Sequence, residues 1–455
     1  MLKRNPLTFL LLSTALVGCA NLDDSYQLAK QDFQQYEEVT KQYSVQESWW
    51  ALYHDTQLNA LITQGLDNNK NLAKAAINVN KALYQANLLG ANLVPAFSGR
   101  VESSATRNIE HSQPSKIQHS GSINVSYTLD LWRRLADAAS AGEWAYKASA
   151  QDLEAARLSL INSLIATYYQ IAFLNDAVQA TKGTIKYYTQ INTIMQNRFK
   201  LGVADSASSD QAQQAVLRAR NQLITYQTQR KVAEQTLRNL LNLKPNEALN
   251  IKFPSILNVK TLGVNTNVPV STIANRPDIK SAQYRLSSAF KDAKAVQKSW
   301  FPTITLGASL ASAGAKVDTA LDTPIASGLV SINLPFLSWN TVKWNVKISE
   351  ANYELAKVSY EQTITTALNE IDTHYFSYQQ SQANLANLQK ADAYNKRITQ
   401  YYKNRYDAGV SPLRDWLSAA NTENDAKLAI LNAKYQLIQQ ENTIYSAMAG
   451  YYSAK

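Results

Sequence analysis

The chain of 455 residues sets 45 Lys and Arg against 35 Asp and Glu, a formal charge of +10, with 45% hydrophobic residues, 14 Gly, 11 Pro and one Cys. That length admits two or three ordinary domains and a sizeable core. The basic residues are scattered among acids and amides without the dense stripe a nucleic-acid partner needs, and so little Gly and Pro suits long polar-faced helices better than a loop-rich enzyme.

The first element is an address. Lys3 and Arg4 precede the apolar run "PLTFLLLSTALVG", which is too short for a comfortable membrane span, and the run ends in "LVGC" at Cys19. That string is similar to a bacterial lipobox. The resemblance implies a signal peptide over 1–18, acylation of Cys19 and, with Ala20 following, an outer-membrane destination. The alternative is an ordinary cleaved signal with an accidental cysteine. Residues 19–50 then read as a lipid-anchored extended segment.

From residue 51 the chain repeats itself at an offset of 207: Leu72 matches Ile279, Ala75 matches Ala282, Ala86 matches Ala293, Pro95 matches Pro302 and Gly202 matches Gly409. The first repeat, 51–242, opens with a predicted helix from Thr56 to Leu93 that Pro95 stops. Alternation then predicts a β-hairpin over 97–130, with Ile123, Val125, Tyr127 and Leu129 on one face. A helix follows from Leu135 to Arg198, where Leu153, Leu160, Leu164, Thr167, Ile171, Leu174 and Val178 form a coiled-coil seam. Gly202 supplies the left-handed residue that ends it, and a return helix runs over 206–242. Residues 243–275 read as a connecting, equatorial subdomain with short β-like runs. The second repeat, 276–450, has the same order: a helix over Pro277–Lys298, a hairpin over 303–337, a helix over Thr341–Tyr406, a stop at Gly409, Ser411 as N-cap with Pro412 in the first turn, and a return helix over 412–450. Residues 451–455 are left as a C-terminal tail.

Four strands cannot close a membrane barrel, which needs at least about eight, and open edges are not tolerated in lipid. The strands are long enough to cross a bilayer, so several chains share one barrel: eight strands from two chains, or twelve from three. Phe97, Trp132, Trp300, Phe301, Phe336 and Trp339 lie at the helix–strand junctions as an aromatic belt would. The alternative for these strands is a soluble β-sandwich.

The motifs "WWALYHDTQLNALI" (49–62), "RPDIKSA" (276–282), "WFPTI" (300–304), "LDLW" (129–132) against "LPFL" (334–337), the duplicated Arg–aromatic–x–x–Gly tips and Cys19 together resemble the TolC-like outer-membrane efflux channels, in their lipoprotein branch. The resemblance covers nearly the whole mature chain. It implies an α+β membrane protein: a homotrimer sharing a 12-stranded β-barrel, four strands per chain, on a long periplasmic α-helical barrel, internally duplicated. Its implied partners are a periplasmic adaptor (membrane fusion) protein, an inner-membrane transporter and outer-membrane lipid. It also implies a periplasmic gate, with an acidic ring at Asp415 and latch residues at Tyr406 and Arg405. The sequence departs from that pattern at Ser208, the first-repeat counterpart of Asp415, and at Ser411, which leaves Asp407 and Arg414 as substitutes. Asp415 also suits the start of helix 412–450, where a carboxylate is stabilised by about 0.3–1 kcal/mol.

His54, His111, His119 and His374 make no metal-ligand spacing, and the chain holds no P-loop or G-x-S-x-G motif. No enzyme, cofactor or metal is expected. The function expected is a passive conduit exporting drugs or other small molecules. The rival reading is a coiled-coil adaptor or structural lipoprotein without a pore.

Overall fold

The computed structural model describes residues 17–107 and 114–454. The signal-peptide residues before Val17 and His111 lie outside them, as does the side chain of Cys19. The chain divides into two compact bodies: one made of residues up to Gln34, Ala76–Asp152 and Asp278–Ile364, the other of Gln35–Ala75, Leu153–Pro277 and everything from Thr365 onward.

In the first body, β2 (Ala96–Thr106), β3 (Lys116–Leu129), β4 (Thr303–Gly314) and β5 (Ile325–Asn333) form one antiparallel sheet in the order β2-β3-β4-β5. The two hairpins thus lie side by side, one from each repeat. Register puts Tyr127 opposite Leu306 and Leu306 opposite Val330, and likewise Leu129, Ile304 and Ile332 in one row. Phe97, Val125 and Ala308 make another row on the same face. The opposite face carries Ser98, Asn124, Ser309 and Ser327. Cross-strand neighbours share a face, so the alternation read in single strands adds up to one apolar and one polar surface. Along β4, Leu306, Ala308 and Leu310 are more exposed than Thr305, Gly307 and Ser309 between them, whereas in β3 Ser126 of the polar face is exposed and Val125 and Tyr127 are half-buried. Every residue of β2 and β5 is exposed, and both are sheet edges.

Asp130 begins α4 (Arg134–Lys200) by accepting the amides of Leu135 and Ala136 at 2.9 and 2.8 Å. The Trp132 indole donates to the Pro302 carbonyl at 2.9 Å and stacks on Phe301 at 4.8 Å, which joins the exit of the first hairpin to the entry of the second. Of the six belt aromatics, Trp300 alone is half-buried; Phe97, Trp132, Phe301, Phe336 and Trp339 are exposed. Strand β5 ends at Asn333 and Pro335–Ser338 is a 3-10 turn, so the second hairpin is shorter than 303–337. The segment expected to be extended is instead helical: α1 spans Val17–Thr40. Apolar residues at helical spacing explain it. Leu22 and Phe33 are buried, and Tyr26 stacks at 4.1 Å on Phe290 of α6 (Pro277–Gln297).

The second body holds the main core. Trp49, Leu58, Ile62, Ile161, Leu164 and Ile171 are buried together, each worth roughly 1.5–3 kcal/mol relative to exposure. The predicted seam of α4 is this surface: Leu160, Leu164, Thr167, Ile171, Leu174 and Val178 are buried and Leu153 half-buried. The helix expected over Thr56–Leu93 is two helices, α2 (Thr56–Asn68) and α3 (Lys70–Gly90), with Ala91–Leu93 a 3-10 turn. Asn69 makes the break, because its side-chain oxygen accepts the amides of Asn71 and Leu72 and replaces the helical bonds there.

The connecting stretch forms no strand. Its amides are taken by side chains instead: Lys252 by Gln57 at 2.7 Å, Ile256 by Asp176 at 2.8 Å, and Leu262 and Gly263 by Glu441 at 3.1 and 2.9 Å. The C-terminal tail is a strand, β6 (Tyr451–Ala454), antiparallel to β1 (Tyr43–Gln46). Among the described residues no helix is long and apolar enough to cross a membrane.

Candidate gate at the helical tips

Each repeat ends in a helical hairpin within the second body. In the first, α4 turns into α5 (Ser206–Leu240); in the second, α7 (Trp339–Asp407) turns into α8 (Leu413–Ala447). The two turns are the same turn. Gly202 and Gly409 both have φ of 72°. Gly202 donates to Phe199 at 2.9 Å and Val203 to Arg198 at 2.9 Å; Gly409 donates to Tyr406 at 3.0 Å and Val410 to Arg405 at 2.9 Å. This is the Schellman closure, which needs a left-handed residue and so favours glycine.

The return helices start differently. Asp205 caps α5 by accepting the Ser208 amide at 2.8 Å, and these bonds hold its carboxyl below the usual range. In the second tip Pro412, not Ser411, is the N-cap. Pro412, with φ of −70°, holds the extended backbone that the cap position requires, and Ser411, one residue earlier, donates its hydroxyl to Asp415 Oδ2 at 3.0 Å. Each return helix therefore has one carboxylate at its positive end, at the cap in the first repeat and three residues later in the second. Asp415 also lies 3.5 Å from Arg414 Nε.

Of the two residues expected to latch the tip, one joins helices and the other does not. The Tyr406 hydroxyl accepts from Arg198 Nη1 at 2.8 Å and donates to Met195 Sδ at 3.2 Å, which ties α7 to α4. Its ring packs 5.4 Å from Trp416, over a buried cluster that includes Tyr188, Ile191, Met195, Leu413 and Leu417. Arg405 instead donates to Tyr401 of its own helix and to the Val410 carbonyl of its own turn, both at 3.2 Å. Asp407 pairs with Lys403 at 2.6 Å on the same helix. Sequence reading missed Arg198, Met195 and Trp416. Arg198 was within reach, since it is the twin of Arg405 at the offset of 207.

The histidines stand apart from this site. Among the described residues no three His, Cys, Asp or Glu side chains are grouped to hold a metal. His119 shares a 2.6 Å hydrogen bond with Ser103, and burial lowers the pKa of His374.

A duplicated chain with a four-stranded sheet, apolar on one face, and two helical hairpins with matched tips has the build of an outer-membrane channel subunit. It belongs to the outer membrane efflux protein family, whose model matches residues 61–243 and 268–450. The two matched segments are themselves one repeat apart. The chain is 66% identical over 453 residues to an uncharacterized protein of Haemophilus influenzae, covering 99% of this chain and 100% of that one. It is 63% identical over 454 residues to the toxin and drug export protein A of Aggregatibacter actinomycetemcomitans, covering 100% and 99%. Its fold is that of the outer membrane protein VceC of Vibrio cholerae, with a TM-score of 0.81 at 22% identity over 90% of this chain and 100% of that one.

Proposed function

We propose that three copies of this chain form a lipid-anchored channel that carries small molecules passively out of the periplasm as the outer-membrane stage of a tripartite pump. The observation that carries this reading is the sheet: four strands, one apolar face in register, and two fully exposed edges. Such a sheet is stable in hydrocarbon when its edges are paired by further copies, and twelve strands leave an open lumen. Cys19 carries the acyl anchor in this reading, and stable anchoring takes more than one chain. The long α4 and α7 reach into the periplasm and offer their tips to an adaptor and, through it, to an inner-membrane transporter. At the tip Asp415 supplies the charge of the mouth, favouring cations and opposing anions. Tyr406 ties the two hairpins of a chain together, and Arg405 lies at the flank of the second. The cargo is drugs or toxins, as the name of the 63% identical relative suggests. Purified protein electrophoresed without heating is expected to run at the mass of three chains and to conduct ions across planar bilayers. A single-chain band with no conductance overturns the proposal.

A further inference from the structure

The connection between β4 and β5 folds back onto one face of the sheet. Residues 315–324 form successive turns, in which the Ala320 amide donates to Val317 at 3.4 Å and the Asp322 amide to Thr319 at 3.3 Å. The loop returns so closely over the end of β4 that a Cβ on Gly314 would lie 2.7 Å from the Thr319 main chain. The return buries Ala320 and brings Leu321 over Gly121, where a Cβ would meet Leu321 Cδ2 at 3.9 Å. Gly121 stands opposite Val101 and Ser312, and in the next row on that face Ile123 stands opposite Gly99 and Leu310. Leu321 therefore lies on the apolar face, at the end of the sheet away from the helices.

Beneath Leu321 is a groove. A hollow of about 360 Å³ is walled by Leu321, Val101, Ile123 and Leu310, and Gly99 and Gly121 leave its floor bare. A second hollow of about 400 Å³ shares Ile123 and Leu310 and continues past Phe97, Val125 and Ala308. From Ala308 to Ser312 the groove runs about 14 Å along the strand, close to one leaflet's share of a hydrocarbon core about 30 Å thick. Along β4 this face carries Ile304, Leu306, Ala308 and Leu310, and then Ser312. Ser312 lines the first hollow, is 7% exposed, and its hydroxyl has no hydrogen-bond partner among the described residues. A buried hydroxyl left so is placed to meet an acceptor. On the loop above, Val317 and Leu321 are 74% and 75% exposed, as side chains that meet lipid would be.

We infer that this groove seats one acyl chain of an outer-leaflet lipopolysaccharide, with Leu321 against the chain and the Ser312 hydroxyl donating to the carbonyl that joins the chain to its headgroup. The inference rests on the barrel reading above. In that reading the apolar face meets hydrocarbon, the groove is continuous with it, and the end away from the helices lies in the outer leaflet. Cargo in the lumen meets the opposite face, and a neighbouring copy pairs with the edges rather than with the face. The loop sets Lys316 against Asp318 and Asp322, so it has no excess of positive charge for a phosphate, and the chain rather than the headgroup is what the groove recognises. A seated chain fills the hollow that the two glycines leave in the lipid-facing wall.

A photoreactive benzophenone side chain placed at Leu321 of the full-length protein in intact cells tests it. Irradiation is expected to give a protein band that carries lipopolysaccharide, detected with an antibody against that lipid. Gly99→Leu fills the floor of the groove, and its Cβ meets the Ser122 carbonyl at an ordinary 3.9 Å, so the sheet is kept. In that background the band is expected to be lost. The same probe at Leu306, lower on the apolar face, is expected to capture lipid of either leaflet. A Leu321 probe that captures no lipid, phospholipid alone, or another part of its own chain, while Leu306 captures lipid, overturns the inference. So does a band undiminished by Gly99→Leu. Failure of the Leu306 probe to capture any lipid instead defeats the barrel reading itself.

Discussion

Arg276 donates from Nη1 to the main-chain oxygen of Ala447 at 2.7 Å, and one repeat earlier Asn69 donates to the main-chain oxygen of Leu240 at 2.9 Å. Both side chains stand at the start of a helix and close the last turn of the return helix. The helix ends they serve are also twins: Asn242 and Ala449 both have φ of 56°, and the closing bonds Leu243 to Arg238 and Gly450 to Tyr445 are both 2.8 Å. Arg276 makes a further bond of 2.9 Å to Glu370 and is nearly buried. Arg276→Ala leaves the Ala447 carbonyl without this donor and is expected to cost about 1.5–3 kcal/mol, the range for a bond to a charged donor. Asn69→Ala, which also removes the cap of α3, should cost about 1–2 kcal/mol. Thermal melts followed by far-ultraviolet circular dichroism check both, and an Arg276→Ala protein that melts like the parent removes the bond from the account.

Tyr406→Phe removes a hydroxyl that accepts from Arg198 and donates to Met195, while leaving the ring on Trp416. A loss of about 1 kcal/mol in stability is expected, with the buried tip cluster otherwise intact. Hydrogen exchange of the α4 and α7 tips is the sharper readout: protection there should fall while the core around Trp49 keeps its own.

Asp415→Asn keeps the side-chain shape and takes away the charge. If three such carboxylates line the mouth, cation selectivity measured as a reversal potential in planar bilayers should fall, and resting conductance should rise. Neither quantity moving would leave Asp415 with its helix-end role alone, worth about 0.3–1 kcal/mol.

Glu441 is fully buried, and burial pushes its carboxyl up against the pull of the Gly263 and Leu262 amides, Lys434 and the Tyr378 hydroxyl. An acid with a raised folded-state pKa binds more protons folded than unfolded. Its stabilising share is therefore complete below the ordinary Glu value and is lost as pH rises through the raised one. The parent protein should lose melting temperature as pH climbs through that window. Glu441→Gln should flatten the slope there, at the cost of one acceptor for the two amides. A slope identical to the parent's would show that other groups set it.

On the sheet, Leu306→Arg places a charge on the apolar face and Ser309→Arg places one on the polar face. The first should cost about 2–4 kcal/mol near the bilayer midplane and deplete folded protein in outer-membrane fractions. The second should assemble normally and shift ion selectivity. Equal tolerance of both would reverse the assignment of the two faces.

Much of the fold was legible because its signals are local. Alternation in β3 and β4, the seam along α4 and the glycines at 202 and 409 each depend on a few neighbouring residues. Misreadings occurred where distant side chains take over the backbone. Asn69 breaks a helix that periodicity continues. Gln57, Asp176 and Glu441 occupy amides that would otherwise form a ladder in the connecting stretch. Tyr26 finds Phe290 and so turns an expected extended segment into α1. At the tip Tyr406 joins two helices, and Arg405 joins none within the chain.

The sequence by itself determined the duplication, both left-handed turns, the apolar face of β3 and the seam along α4, since residue spacing and φ preference are properties of short stretches. Only the tertiary structure decided that Arg198 rather than Arg405 meets Tyr406 and that both hairpins share one sheet. Those outcomes depend on which of two equivalent surfaces is brought within hydrogen-bond distance across some 200 residues of chain, and twin residues cannot state that choice, being alike until they are placed.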